Sequence, residues 1–328
     1  MTWLITGGAG FIGSHVVRAM LAAGERVAVY DDLSTGDRKR VPDEVPFVEG
    51  SVLDAELLRT TLTGLRVSGV VHLAAKKQVA ESVERPLHYY RENVQGLRTL
   101  LQAAADAGVG RFLFSSSAAV YGMPDVDLVT EDTPCAPVNP YGETKLAGEW
   151  LVRATGRAHG MTTACLRYFN VAGAATDELA DTGVFNLVPM VFEKLTEGGA
   201  PVVFGDDYDT EDGTCVRDFI HVEDIASAHL AAARALADRE PGSDLTVNIG
   251  RGEGVSVREM IALIGEVTGY GAAATPVSAP RRPGDPARVV ASAERIRTEL
   301  GWTARHDARA MVGSAWSGWC RQHPRARR

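Results

Sequence analysis

The sequence predicts an α/β protein: a doubly wound parallel sheet of the Rossmann type with a smaller C-terminal region. Three observations carry this reading. Short β-branched or aromatic runs alternate with longer helical patterns, which reads as parallel strands joined by right-handed helical crossovers. The first run, Trp3-Leu4-Ile5, leads directly into Thr6-Gly7-Gly8-Ala9-Gly10-Phe11-Ile12-Gly13, a glycine-rich turn that opens a helix. Asp31 then follows the second run, Arg26-Val27-Ala28-Val29-Tyr30.

Taken in order, the glycine turn comes first. Gly7 allows a tight turn, Gly10 a close approach of backbone to a diphosphate, and Gly13 close packing of helix on strand. The unpaired N–H groups of the first helical turn then point at an anion. A carboxylate at Asp31 can take both hydroxyls of an adenosine ribose and would repel a 2′-phosphate, so NAD is expected rather than NADP. Further strands are expected at 27–30, 46–49, 70–73, 111–115, 162–168 and 245–249, with helices near 11–23, 54–64, 86–107 and 141–159. A doubly wound sheet binds its ligand at the carboxyl ends of the strands. Those ends carry Ala74-Ala75-Lys76-Lys77, Ser115-Ser116-Ser117 and Phe169-Asn170-Val171-Ala172-Gly173, three strand ends that look like the rim of one cleft.

The pattern changes beyond about residue 173. Pro189, Pro201, the acidic loop 205–213 and the stretch 276–286 break the chain into short pieces, expected to form a second region that closes over the cleft. The segment 217–222 is expected to return to the main sheet. The resulting division is 1–170 for the nucleotide-binding domain, with 217–249 returning to it, and 171–216 with 250–328 for the second region.

The totals exclude several classes. The 328 residues are 45% hydrophobic with a net charge of −8, which gives no support for nucleic-acid binding. The basic tail 321–328 reads as a solvated terminus. Four scattered cysteines, at 135, 165, 215 and 320, suit neither a zinc site nor a disulfide framework. They read as reduced thiols in a cytoplasm. No apolar stretch approaches the roughly 18 residues that span a bilayer, and the N-terminus runs into a strand without a basic leader.

Tyr141-Gly142-Glu143-Thr144-Lys145 carries the chemistry. Residues four apart share a helical face, so Lys145 lies beside Tyr141. Bringing a phenol from near 10 to near 7 needs roughly 4 kcal/mol of preference for the anion. An adjacent ammonium and an oxidised nicotinamide favour that anion, so Tyr141 is expected to act as a general base. A serine cluster on the preceding strand end completes the set that alcohol oxidation by hydride transfer requires.

These stretches resemble the extended short-chain dehydrogenase/reductases. Within them, the chain is similar to the UDP-hexose 4-epimerases over nearly its whole length. The resemblance rests on Gly7–Gly13 with Ser14-His15, Asp31-Asp32-Leu33-Ser34-Thr35-Gly36, Glu81-Ser82-Val83, 114–122, Arg167-Tyr168-Phe169-Asn170, and the acidic loop 210–215 running into Val216-Arg217-Asp218. It implies that Tyr141 is the catalytic base, Ser117 its hydrogen-bonding partner and Lys145 a ligand of the nicotinamide ribose. NAD would lie against Gly7, Gly10, Phe11, Ile12 and Gly13, then Asp31, Asp32, Leu33, Ser34, Thr35 and Gly36. Ser51, Val52, Leu73, Ala74, Ala75, Lys77, Asn93, Ser115, Tyr141, Lys145 and Tyr168 complete that set. The UDP-sugar would be held by Lys77, Ser117, Tyr141, Asn170, Asn186, Leu187, Val203, Phe204, Arg217, Arg282, Asp285 and Val289, and no metal is implied.

Three positions depart from the family pattern: Ser51 replaces an aspartate, Phe219 a tyrosine, and Val289 a tyrosine or a small residue that gates the sugar pocket. The substituents at C2 and C5 of the sugar therefore stay open, with N-acetylated, uronic and pentose sugars as alternatives. Ala118-Ala119 stand where 4,6-dehydratases carry an Asp-Glu pair, which argues against dehydration. A non-catalytic NAD sensor would have little need of Tyr141 and Lys145. In similar proteins the outer faces of helices 86–107 and 141–159 pair in a homodimer, and the same is expected here.

Overall fold

The computed structural model describes residues 1–282 and 284–326; Pro283 of the 276–286 stretch and Arg327 and Arg328 of the basic tail lie outside them. The first half alternates as expected: β1 (Thr2–Thr6), α1 (Phe11–Ala22), β2 (Arg26–Asp31), β3 (Phe47–Glu49), α2 (Ala55–Gly64) and β4 (Val67–His72). After α3 (Val79–Glu84), the expected helix 86–107 is composite, with α4 (Pro86–Tyr89), a π-helical turn (Tyr90–Gln95) and α5 (Gly96–Asp106) in succession. β5 (Arg111–Ser117), α6 (Pro140–His159) and β6 (Thr162–Tyr168) follow.

The second half runs β7 (Asn170–Ala172), α7 (Leu187–Thr196), β8 (Val202–Phe204), β9 (Val216–His221), α8 (Val222–Ala235), β10 (Asp244–Ile249), β11 (Gly254–Ser256), α9 (Val257–Thr268), β12 (Val277–Ala279), β13 (Arg288–Val289), α10 (Glu294–Leu300) and α11 (Ala308–Gln322).

Seven parallel strands form the main sheet in the order β3-β2-β1-β4-β5-β6-β10. The strand order reverses beside β1, which opens a crevice at the carboxyl ends there. Successive side chains of a strand point to opposite faces. Ile5, Val27 and Val29 accordingly pack with Val16, Val17 and Met20 of α1 and Ile225 of α8, while Leu4, Ala28 and Tyr30 pack with Leu58, Leu62, Leu97, Leu100 and Val152. The result is three layers, with α2, α5 and α6 on one face and α1 and α8 on the other.

The smaller core gathers Val188, Phe192, Met260, Ile264, Met311 and Trp319 from α7, α9 and α11. One strand falls differently from the sequence expectation. Segment 217–222 does not rejoin the main sheet: β9 pairs with β7, β11 and β13 in a separate four-stranded sheet. The edge beside β6 is held by β10, which pairs with β6 along its whole length. The chain returns through α8 and β10 instead.

Candidate active site

The glycine turn is fixed by contacts that tolerate no side chain. Gly7 has φ +73°, and a Cβ on it would lie 2.7 Å from the Ala74 nitrogen; one on Gly13 would lie 2.0 Å from the Gly7 oxygen. Gly10 caps α1 without a side-chain acceptor, and no acidic residue stands in the first turn. That turn, which contains Phe11 and Ile12, therefore presents amide donors to an outside anion, a donor set that fits the diphosphate of a dinucleotide.

Asp31 sits at the end of β2, where Oδ2 accepts the Ala9 N–H and Oδ1 the Leu33 N–H, both at 2.9 Å. Burial raises its pKa, opposed by those two amides. Asp32 accepts the Ser34 N–H at 2.9 Å, and Lys76 Nζ donates to Ser34 Oγ at 3.1 Å. Gly36 closes this loop, since a Cβ there would lie 2.9 Å from Asp31 Oδ1; Thr35 is exposed beside it. The Tyr30 hydroxyl donates to the Ser51 carbonyl at 2.9 Å, and Val52 is buried against α2 and α5. Leu73 donates its N–H to the Thr6 carbonyl at 3.0 Å, which leads Ala74 and Ala75 past Gly7.

Asn93 is buried in the π-helical turn. Its Oδ1 accepts the Lys76 N–H at 2.8 Å, and its Nδ2 donates to the Lys76 carbonyl at 2.9 Å and to Thr144 Oγ1 at 3.0 Å. It pins the strand-end segment to α6, while Lys77 is exposed.

α6 begins where the sequence dictates. Asn139 caps it, accepting the Gly142 N–H at 2.9 Å, and Pro140 occupies the first turn, where its missing N–H costs nothing. This start sets Tyr141 over the end of β5, hydrogen-bonded to Ser117. Lys145 is 4% exposed; its Nζ donates to the Ser115 carbonyl at 2.8 Å and lies 5.9 Å from the centroid of the Tyr141 ring. Burial lowers the Lys145 pKa to about 8.

The electrostatics differ from the sequence expectation at one point. In the protein alone burial raises the Tyr141 pKa, and the opposing influence is the Ser117 hydrogen bond rather than Lys145. The ammonium spends its closest bond on the Ser115 carbonyl. The Ser115 hydroxyl lies 3.1 Å from His229 Nε2. His229 Nδ1 lies 2.9 Å from the Ile225 carbonyl, so Nδ1 carries the proton and Nε2 accepts from Ser115. Tyr168 hydrogen-bonds the same serine, and burial raises its pKa.

The second group lies on the smaller region. Arg217 of β9 reaches Asp285 Oδ1 at 2.5 Å and donates to the Val216 carbonyl at 2.9 Å. Val289 of β13 is in register beside Arg217. It packs with Tyr121, Leu146 and Phe169, with Ala118 against the same cluster, which links this region to the neighbours of Lys145 and Ser117. The Arg282 guanidinium stacks 3.7 Å from the centroid of the Phe204 ring. Val203 is buried in the smaller core. Asn186 precedes Leu187 at the start of α7, donating from Nδ2 to Asp181 Oδ2 at 3.1 Å. Asn170 is exposed at the start of β7.

Sequence reasoning missed two side-chain clusters, one buried and one partly exposed. Glu149 accepts from Ser116, Arg153 and Arg167 beneath the serine strand end; it lies four residues past Lys145, so the spacing that found Lys145 also points to it. Among the described residues, His221, Glu223 and His306 bring metal-type ligand atoms within 4.8 Å of one another. Both nitrogens of His221 are already engaged: Nδ1 accepts the Glu223 N–H at 3.0 Å, and Nε2 meets the Ser314 hydroxyl at 2.9 Å.

A glycine turn, a strand-end acid and a Tyr-Ser-Lys set gathered at the carboxyl end of one parallel sheet define a nucleotide-dependent α/β enzyme. The chain belongs to the NAD dependent epimerase/dehydratase family, whose sequence profile matches residues 3–250. It is 47% identical over 310 residues to a UDP-glucose 4-epimerase of Azospirillum brasilense, covering 93% of this chain and 87% of that one. The UDP-glucose 4-epimerase from Brucella ovis, solved in complex with NAD, superposes with a TM-score of 0.90 at 38% identity, covering 96% of this chain and 97% of that one. The enzyme from Bifidobacterium longum, in complex with NAD+ and UDP, gives 0.90 at 35% identity, covering 99% and 100%.

Proposed function

We propose that this protein is a UDP-glucose 4-epimerase that interconverts UDP-glucose and UDP-galactose with tightly bound NAD. The observation that carries the reading is the buried Tyr141, bonded to Ser117 beside Lys145, at the carboxyl edge of a sheet whose glycine turn fits a dinucleotide. Gly7, Gly10, Phe11, Ile12 and Gly13 hold the diphosphate, and Asp31 the adenosine ribose. Arg217, steadied by Asp285, and Arg282, stacked on Phe204, hold the diphosphate and base of UDP, because a guanidinium fork offers paired donors in one plane. Asn170, Asn186 and Leu187 line the same pocket, and Val203 supports it from the smaller core.

Bound NAD supplies an acceptor for the C4 hydride and later returns it, so nothing is oxidised overall. Tyr141 takes the proton of the 4-hydroxyl, with Ser117 stabilising the phenolate, and later gives it back. Lys145 orients the nicotinamide ribose. Anchoring through UDP rather than through the ring lets the 4-keto sugar turn over and present its other face. Val289 is of intermediate size beside this pocket, so UDP-N-acetylglucosamine, UDP-glucuronate and UDP-xylose belong in the same assay.

We assign 1–170 and the segment from α8 through β10 to the NAD-binding unit, and 171–216 with β9 and 250–326 to the UDP-sugar unit, because β9 pairs with β7, β11 and β13. The protein acts as a cytoplasmic homodimer. In support, Leu87 and Trp150 are 84% and 60% exposed on the outer faces of α4 and α6, all four cysteines are free, and among the described residues no helix is long and apolar enough to cross a membrane. The test is incubation with UDP-galactose without added NAD. UDP-glucose is the expected product, and absence of turnover on every UDP-sugar tried would overturn the reading.

A further inference from the structure

We propose that Glu149 is a positioning residue for the reaction: by tying α6 to the ends of β5 and β6, it sets the distance between Tyr141 and Ser117. The inference rests on the reading of Tyr141 as the base. Glu149 is completely buried and lies one helical turn beyond Lys145, on the same face. Its Oε1 accepts from Ser116 Oγ at 2.6 Å and from Arg167 Nε at 2.7 Å; its Oε2 accepts from Arg167 Nη2 and Arg153 Nη2, both at 2.6 Å. Ser116 and Arg167 are themselves register partners across β5 and β6. One carboxylate therefore grips the catalytic helix to two adjacent strands at a single level of the sheet.

That level is where the reacting groups attach. Ser116 stands between Ser115, whose carbonyl takes the Lys145 ammonium, and Ser117, which bonds Tyr141. Sliding α6 along β5 would change both contacts together. A buried Arg–Glu pair needs only each other and a few further bonds for its charges to be compensated. The additional bond to Ser116 is the one that reaches the serine strand, and it gives the pair a reach into the site.

The far side of Arg167 is also braced. Its Nη1 donates to the Tyr121 hydroxyl at 2.9 Å, which in turn donates to Asn248 Oδ1 at 2.6 Å on β10. The tether therefore has a rigid base rather than a movable surface arginine at its end.

The experiment compares Ser116→Ala and Glu149→Gln with wild type and Tyr141→Phe, measuring kcat and KM for UDP-galactose, bound NAD and the thermal midpoint. Ser116→Ala cuts only the link to β5. A misplacement on the order of 1 Å can cost about 100-fold in rate. On that scale kcat is expected to fall about 10-fold in Ser116→Ala and about 100-fold in Glu149→Gln. KM and NAD content should stay within about twofold of wild type, the signature of an interaction felt mainly in the transition state. Glu149→Gln leaves Arg167 without its counter-charge and can fail to fold, so Ser116→Ala decides on its own. Wild-type kcat in Ser116→Ala, whether or not its thermal midpoint falls, overturns the proposal, as does a raised KM with kcat unchanged. If Tyr141→Phe keeps its activity, the base assignment has failed; if Tyr141→Phe is inactive while Ser116→Ala is not, the tether alone has failed.

Discussion

Replacing Lys145 by methionine separates what the site needs from what the fold prefers. The ammonium is buried, and its pKa falls from the usual 10.5 to about 8, which corresponds to a penalty of about 3 kcal/mol for keeping it charged. Because the folded pKa is the lower one, the native chain binds fewer protons than the unfolded chain between the two values, and stability rises with pH across that window. The penalty is present in full below about pH 8 and is gone above about pH 10.5. Methionine removes it but leaves the Ser115 carbonyl without its 2.8 Å donor, a loss of about 1–3 kcal/mol.

The NAD-free Lys145→Met protein should therefore be about as stable as wild type at pH 7, or up to about 2 kcal/mol more so. The advantage should shrink as pH rises. Urea unfolding of both proteins at about pH 7 and about pH 9.5 measures this, and epimerase turnover should fall at least about 100-fold. A variant less stable than wild type by several kcal/mol at pH 7, or a difference that does not change with pH, would refute the reasoning.

Gly13→Ala would drive a Cβ to 2.0 Å from the Gly7 carbonyl oxygen, and backbone cannot yield that far without moving the turn. NAD affinity should weaken by at least about 10-fold, read from bound nucleotide after purification and by titration. Arg217→Ala removes the partner of Asp285 and, on the proposed reading of the site, a donor for the UDP diphosphate; KM should rise by about 10- to 100-fold with NAD content unchanged. Equal loss of bound NAD would reassign that arginine. Leu87→Glu with Trp150→Glu places charge on the exposed apolar faces of α4 and α6. Sedimentation should then show the monomer mass, and an unchanged dimer would move the interface elsewhere.

Much of the architecture is legible because the first half of the chain obeys local rules. The glycine turn, Asp31 and the alternation of strands and helices all depend on neighbours in sequence, and so does the start of α6 at Asn139 and Pro140. The place of β9 is not local. Its partners β7, β11 and β13 come from segments as far away as Asn170 and Val289, and nothing in Val216–His221 itself announces which sheet it joins. The π-helical turn that buries Asn93 is invisible for a similar reason, since Asn93 is satisfied by Lys76 and by Thr144 of another helix. The state of Tyr141 is the clearest limit. Spacing puts Lys145 beside it, but only the fold reveals that the lysine bonds to Ser115 and that burial of the phenol outweighs the help it receives.

The central claim is that the Tyr141 hydroxyl moves the proton of the sugar's 4-hydroxyl. Tyr141→Phe keeps the ring and its burial and deletes only that oxygen. With UDP-galactose as substrate, the account predicts a kcat lowered by about 100- to 10,000-fold, bound NAD retained and KM little changed. Turnover within about tenfold of wild type at any pH would contradict it, because general acid–base catalysis contributes more than that.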